Sequence, residues 1–284
     1  TDDTRLELFM FLSLVAICHP LALLGTDALG AWLAPSYRDA LVDLPWWGMV
    51  AILLVGDDLT QYLWHRASHS ALLWPLHRAH HSAAYMSVRV VYRNNFLYYL
   101  LMPGLWFGGA LLYLGFGWVF VYYSTVKLLV ITGAHSAVRW DTFLYRYRVL
   151  HPLAWLLERT ISTPATHHAH HALTQDDGIG HYDGNYGNLL FLWDVLFGTA
   201  HITRQFPPAY GLKDDRRHGQ AHPRAVSVAL THHALAVHRA SGLQKHPLEL
   251  FGGAHVVQAR FAKLERVENV RRVAVPLRTD LSGR

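Results

Sequence analysis

Two His-x-x-His-His units, His77/His80/His81 and His167/His170/His171, stand about ninety residues apart in this chain of 284. A His-x-x-x-His pair, His65 and His69, precedes the first unit. On a helix, positions i, i+3 and i+4 share one face, so each unit offers its imidazoles together. A fold that uses these rings must bring two distant parts of the chain to one place. Neutral imidazole suits iron, zinc, copper or nickel. Eight or nine imidazoles exceed what one ion holds, so the pattern implies two metals.

The rest of the chain says where that place lies. Charged residues make up 16 % and hydrophobic residues 52 %, against roughly 25 % charged in soluble domains. Four apolar stretches, 6–25, 46–64, 96–114 and 118–134, approach the ~20 residues of a membrane-crossing helix. Trp46 and Trp47 suit a membrane interface. Gly115 and Gly117 predict a tight hairpin between the last two stretches. The expected fold is all-α and integral to the membrane. About four transmembrane helices would carry a cytosolic, histidine-rich helical cap holding a dimetal site. The expected division is a membrane-embedded domain over 1–215 and a polar tail over 216–284. In the tail, 224–240 and 255–273 have helical periodicity, and His232, His233 and His238 read as part of an amphipathic helix. The flank carries Asp2, Asp3 and Glu7 against Arg5, unlike the positive start of a cleaved leader.

Topology sorts the histidines onto one face. His65 to His81 follow the second stretch, two more crossings return the chain at His135, and His167 to His171 follow with no further crossing. Loops on that face carry Arg66, Arg78, Arg89, Arg93, Arg139, Arg146, Arg148 and Arg159. The positive-inside rule makes it cytosolic. The net charge of +5 comes with no basic stripe interleaved with aromatics, which argues against nucleic acid. One cysteine, Cys18, excludes an intrachain disulfide, thiolate ligation and an iron–sulfur cluster within this chain.

Around the clusters, Asp58 lies two helical turns before His65, placed to accept an imidazole N–H and fix a tautomer. Tyr62 shares that face. His168 faces away from its neighbours, His181 reads as a loop histidine, and His151 stays unassigned. Neither Glu-x-x-His nor His-Glu-x-x-His occurs. A membrane zinc hydrolase remains an alternative on the same histidines. A metal transporter would place its ligands within the spans, near the midplane, and here they follow the spans. With no Gly-x-Gly-x-x-Gly, haem motif or cysteine cluster, electrons for any redox chemistry must come from a separate protein.

Several motifs together resemble the fatty acid hydroxylase/sterol desaturase superfamily. They are Asp58-x-x-x-Tyr62-x-x-His65-Arg66-x-x-His69, His77-Arg78-x-His80-His81-Ser82 and Thr163-Pro164-x-x-His167-x-x-His170-His171. Asn185-Tyr186-Gly187, Trp193-Asp194-x-x-Phe197-Gly198-Thr199 and Tyr210-Gly211-Leu212 follow, so the likeness covers roughly 45–212. The resemblance implies a non-haem di-iron oxygenase that hydroxylates, or alternatively desaturates, a lipid with O2 and two external electrons. By carry-over, His65, His69, His77, His80, His81, His135, His167, His170 and His171 would hold two iron ions, which zinc can replace in purified protein. Asp58, Tyr62 and Asn185 would support them. A ferredoxin, cytochrome or reductase would be the donor. Tyr85, Tyr92, Phe96, Tyr98, Tyr99, Trp106 and Tyr122 are candidates for an aromatic slot open to the bilayer. The longer stretch between His171 and Asn185 departs from the family pattern.

Overall fold

The computed structural model describes residues 2–213. The tail helices expected at 224–240 and 255–273, with His232, His233 and His238, lie outside the described residues. Among the described residues the regular structure is helical, with no strand and one isolated bridge between Ala172 and Tyr210. The helices are α1 (Asp2–Leu33), α2 (46–68), α3 (Trp74–His81), α4 (Phe96–Leu100), α5 (Pro103–Tyr113), α6 (Gly117–His135), α7 (Thr142–Arg146), α8 (His151–Thr160), α9 (Pro164–His170) and α10 (Leu192–Phe197).

Two of these, α1 and α6, are long and apolar enough to cross a membrane. α1 continues past the expected 6–25 to Leu33, through Pro20. A wide π turn at Leu14–Cys18 precedes that proline, and such a turn absorbs the hydrogen bond and the space that a mid-helix proline disrupts. α2 has a second π turn at Leu54–Leu59 and runs on unbroken to the first histidines. The stretch 96–114 departs from expectation. It is split into α4 and α5, with Met102 extended (φ −67°, ψ 114°). Pro103 is the cause: its ring disfavours helix at the residue before it, and it sits well as the first residue of α5. The α5–α6 hairpin turns through Gly115 at φ 102°. A Cβ there would press on the Val42 nitrogen and Asp39 Cα.

Hydrogen bonds at the two ends fix the helix directions. Asp39 N–H donates to the Tyr113 carbonyl at 3.1 Å and Leu41 N–H to the Leu114 carbonyl at 2.8 Å. The α1–α2 connection therefore meets the α5–α6 turn. At the opposite end Arg93 donates to Asp3 at 2.8 Å and Tyr85 to the buried Glu7 at 2.6 Å. So α1, α2, α5 and α6 alternate in direction, and His65 and His135 finish at the same end. Two apolar clusters fill the interior, one around Cys18, Ala22 and Tyr99, the other around Leu53, Leu111 and Phe116. Leu24, Trp32 and Leu129 are 71 %, 76 % and 66 % exposed. Long helices that turn such residues outward match a lipid surrounding better than water.

Candidate metal centre

Four short pieces of chain deliver the histidines. His65 and His69 close α2, and α3 carries His77, His80 and His81, with Pro75 in its first turn. His135 ends α6, where Ser136 leaves helical geometry. α9 is capped by Thr163, whose side chain accepts from Thr166 N–H while Thr166 Oγ1 accepts from Thr163 N–H. This reciprocal cap and Pro164 start a seven-residue helix that is wholly buried.

The nine histidines form two groups. His65, His69, His77, His81 and His170 make one, and His80, His135, His167 and His171 the other, with the nitrogens of each group within 4.8 Å of one another. Each group thus draws on both halves of the chain. Five of the rings are held from behind. Nδ1–H of His65 donates to the Tyr186 carbonyl at 2.7 Å, that of His80 to Val90 at 2.9 Å, that of His135 to Ile131 at 2.8 Å and that of His170 to Gly184 at 2.7 Å. His77 uses the Asn94 side-chain oxygen at 2.7 Å. A carbonyl oxygen can only accept, so each of these rings carries its proton on Nδ1 and presents a bare Nε2.

That tautomer decides what the centre can hold. His65 and His170 bring their Nε2 atoms to 3.1 Å, and His80 and His135 to 3.3 Å. Neither pair has a proton between its nitrogens, so these are contacts of two lone pairs. His69 Nε2 is buried with no partner among the described residues. Lone pairs converging from buried rings fit a shared cation. Neighbouring nitrogens on one ion, each bonded at about 2.0–2.1 Å, stand roughly 3 Å apart. Burial, reinforced by the neighbouring rings' charges, holds His77, His80, His81, His167, His170 and His171 well below the usual histidine range. They are neutral, as metal ligation requires.

Behind the rings lies a scaffold built from the other motif residues. Asn185 adopts a left-handed backbone at φ 56°. It lies between Gly184 and Tyr186, the two residues whose carbonyls orient His170 and His65. Its side chain donates to the Thr166 and His201 carbonyls at 2.8 and 2.9 Å and accepts from His201 N–H at 2.7 Å. Asp194 accepts from Tyr186 N–H, Gly187 N–H and Thr199 Oγ1 at 2.9, 2.6 and 2.6 Å. Asp58 does not meet an imidazole, contrary to the sequence expectation. It accepts from Leu189 N–H, Leu190 N–H and Trp193 Nε1–H at 3.2, 3.0 and 2.8 Å, and so pins the segment that supports His65. Tyr62 likewise faces the scaffold: its hydroxyl pairs with Thr199 Oγ1 at 2.9 Å and its ring stacks on Phe197. Tyr62→Phe is therefore expected to cost about 1 kcal/mol of stability and to leave metal content unchanged. Thermal melting and metal analysis would check both.

The remaining histidines stand apart from the two groups. His168 donates from Nε2 to the Ser136 carbonyl at 3.1 Å and takes the Tyr210 hydroxyl at Nδ1, 3.0 Å away. Burial lowers it to about 4. His181 packs on His201, and His151 donates to the Tyr145 carbonyl.

A cavity of about 400 Å³ reaches both groups, touching His65 and His77 of one and His80 and His135 of the other. Of the aromatic candidates, Tyr92, Tyr98 and Tyr99 line it, whereas Tyr85, Phe96, Trp106 and Tyr122 do not. Across the centre, a cavity of about 200 Å³ meets His69 and His81, with Trp74, Tyr182 and Lys213 in its wall. Sequence reasoning missed Asn94 and the carbonyls behind the rings. It also passed over Lys127, although a lysine in an apolar helix is itself a signal.

The sequence profile described as Fatty acid hydroxylase matches residues 50–199. Alkylglycerol monooxygenase of Homo sapiens is 27 % identical over 187 residues, covering 62 % of this chain and 36 % of that protein. The Danio rerio protein of the same name is 27 % identical over 160 residues, covering 54 % of this chain and 30 % of its own length. This chain thus spans about a third of the curated relatives it matches. No solved structure matches it.

Proposed function

The chain belongs to the fatty acid hydroxylase family, and we propose that it is a membrane-bound di-iron oxygenase that hydroxylates a C–H bond of a lipid. The observation that carries this reading is the pair of all-histidine groups facing one largely apolar cavity. His65, His69, His77, His81 and His170 would hold one iron ion, and His80, His135, His167 and His171 the other. Bound iron would supply the redox chemistry that activates O2. In the overall balance one oxygen atom enters the lipid C–H bond, and the other leaves as water with two electrons and two protons. An external ferredoxin, cytochrome or reductase would supply the electrons.

The chain's own part is orientation and exclusion of water. The carbonyls behind His65, His80, His135 and His170 and the amide oxygen behind His77 fix five rings before any ligand arrives. Tyr98 lies flat against His77, 5.0 Å between ring centres, and walls the reaction space. The acyl or alkyl chain would lie in the cavity, and the carbon placed between the two groups would be the one attacked. We place the four apolar segments in the bilayer and the arginine-rich histidine end in the cytosol, with 1–215 as the catalytic domain. The relatives' name makes an alkyl ether of glycerol the first lipid to try.

The test is metal analysis of the purified chain together with turnover under 18O2. About two irons per chain and a lipid product heavier by one 18O atom are expected. Loss of two hydrogens instead would mean desaturation in the same cavity. Zinc with turnover in the absence of O2 would overturn the reading.

A further inference from the structure

The cavity that meets the histidines is not apolar throughout. Asp57 and Lys127 face it from α2 and α6, with Gln61 and Ser124 beside them. Asp57 lies eight residues before His65, and Lys127 eight before His135. Both helices end in a histidine at the centre, so the polar station sits about 12 Å along the helices from it.

The ion pair itself is buried, with side-chain exposures of 10 % for Lys127 and 13 % for Asp57. Charges at such depth need partners or a function. Lys127 Nζ donates to Asp57 Oδ2, and the Tyr123 hydroxyl donates to the same oxygen at 2.9 Å. The charges are thus compensated, yet capacity remains on both sides. An ammonium has three N–H groups. The next carboxylate, Asp58, lies 3.9 Å away and is engaged by its own donors. Asp57 Oδ1 lies over the bare Cα of Gly104, where a Cβ would come within 2.7 Å of it. Gln61 and Ser124 make no side-chain hydrogen bond to any described residue. A pair that only joined two helices would need neither spare donors nor a cavity beside it.

We infer that the Asp57–Lys127 station anchors an uncharged hydroxyl group of the lipid substrate, and so fixes which carbon reaches the histidine centre. This rests on the oxygenase reading above. A carboxylate headgroup would meet the charge of Asp57, and an ammonium that of Lys127. A hydroxyl donates to Asp57 Oδ1 and accepts from Lys127 with no net charge brought into the bilayer. An anchored hydroxyl makes the attacked carbon countable from that hydroxyl, whatever the length of the rest of the chain.

The experiment uses the full chain, iron-loaded, in lipid nanodiscs, with 1,2-alkanediols of stepwise increasing length. Mass spectrometry of the products is expected to place the new oxygen at a constant number of carbons from the diol. In direct binding, each diol should exceed its dimethyl ether, which cannot donate, by roughly tenfold. The double variant Asp57→Asn/Lys127→Met avoids leaving one charge unpaired. It should scatter the oxygenation position and raise KM roughly tenfold, with kcat within about threefold. Gln61→Leu, which leaves the ion pair intact, should blur the position less. Oxygenation counted from the methyl end, or equal binding of diol and ether, would overturn the anchor while leaving the oxygenase reading in place. No product from any chain, with the diol still outbinding its ether, would overturn the oxygenase reading and support the anchor.

Discussion

His80→Ala is expected to abolish lipid oxygenation, by at least about 10³-fold, and to halve the iron bound per chain. Mutating mere outer-shell partners of a metal ligand costs about 10–100-fold, so loss of a ligand itself should exceed that. His80 belongs to the four-membered group and presents its bare Nε2 3.3 Å from that of His135. Removing it leaves three imidazoles at that position and opens a void beside the cavity. The five-membered group keeps all its members, so about one iron per chain should remain. His168→Ala is the matched control, since His168 is equally buried but bonds to Ser136 and Tyr210 instead. It should lose stability yet keep both irons. Elemental analysis and 18O2 turnover on the two variants give the comparison, and full turnover by His80→Ala would refute the two-group assignment.

Asp58→Ala is expected to cost about 4 kcal/mol and to loosen the first group although Asp58 touches no imidazole. Its carboxylate accepts from Leu189 N–H, Leu190 N–H and Trp193 Nε1–H, and it is fully buried. Alanine leaves three donors unsatisfied, one buried and two part-buried, each worth roughly 1–3 kcal/mol when buried. The freed segment includes Asn188 and leads back to Tyr186, whose carbonyl fixes the His65 tautomer. Iron affinity should therefore fall about 10–100-fold. Asp58→Asn keeps part of the acceptor capacity and should recover part of both losses. Iron titration followed by absorbance, beside thermal melting, separates the two effects. A destabilised Asp58→Ala protein with unchanged iron affinity would show that Asp58 acts on folding alone.

The histidine geometry was legible because spacing on a helix is a strong code. His-x-x-His-His can only present its rings together, and the structure brings all nine into two groups. The all-helical character and the Gly115 turn were legible for similar local reasons. What lay behind the rings was not. Four of the five fixed imidazoles donate to backbone carbonyls, and every residue has a carbonyl, so no side-chain pattern marks Gly184, Tyr186, Val90 or Ile131. The helical phase of Asp58 with His65 is plain in the sequence, but its partners are 131 to 135 residues away and no local rule names them. The split of 96–114 was different. Pro103 stands in the sequence as a breaker, whereas apolar run length alone predicts one continuous helix. Among the aromatics, location along the chain marks the candidates, and only the folded arrangement selects Tyr92, Tyr98 and Tyr99.

The turn at Asn185 also sets a clock. It orients His65 and His170 together, though 105 residues separate them. A ribosome adding about 5–20 residues per second needs roughly 5–20 s to cover that interval. Throughout it the earlier imidazoles are already made and have no later partners. Neither histidine group is complete until His170 and His171 have been made, and His65 and His170 are held in place only once the 184–186 turn follows.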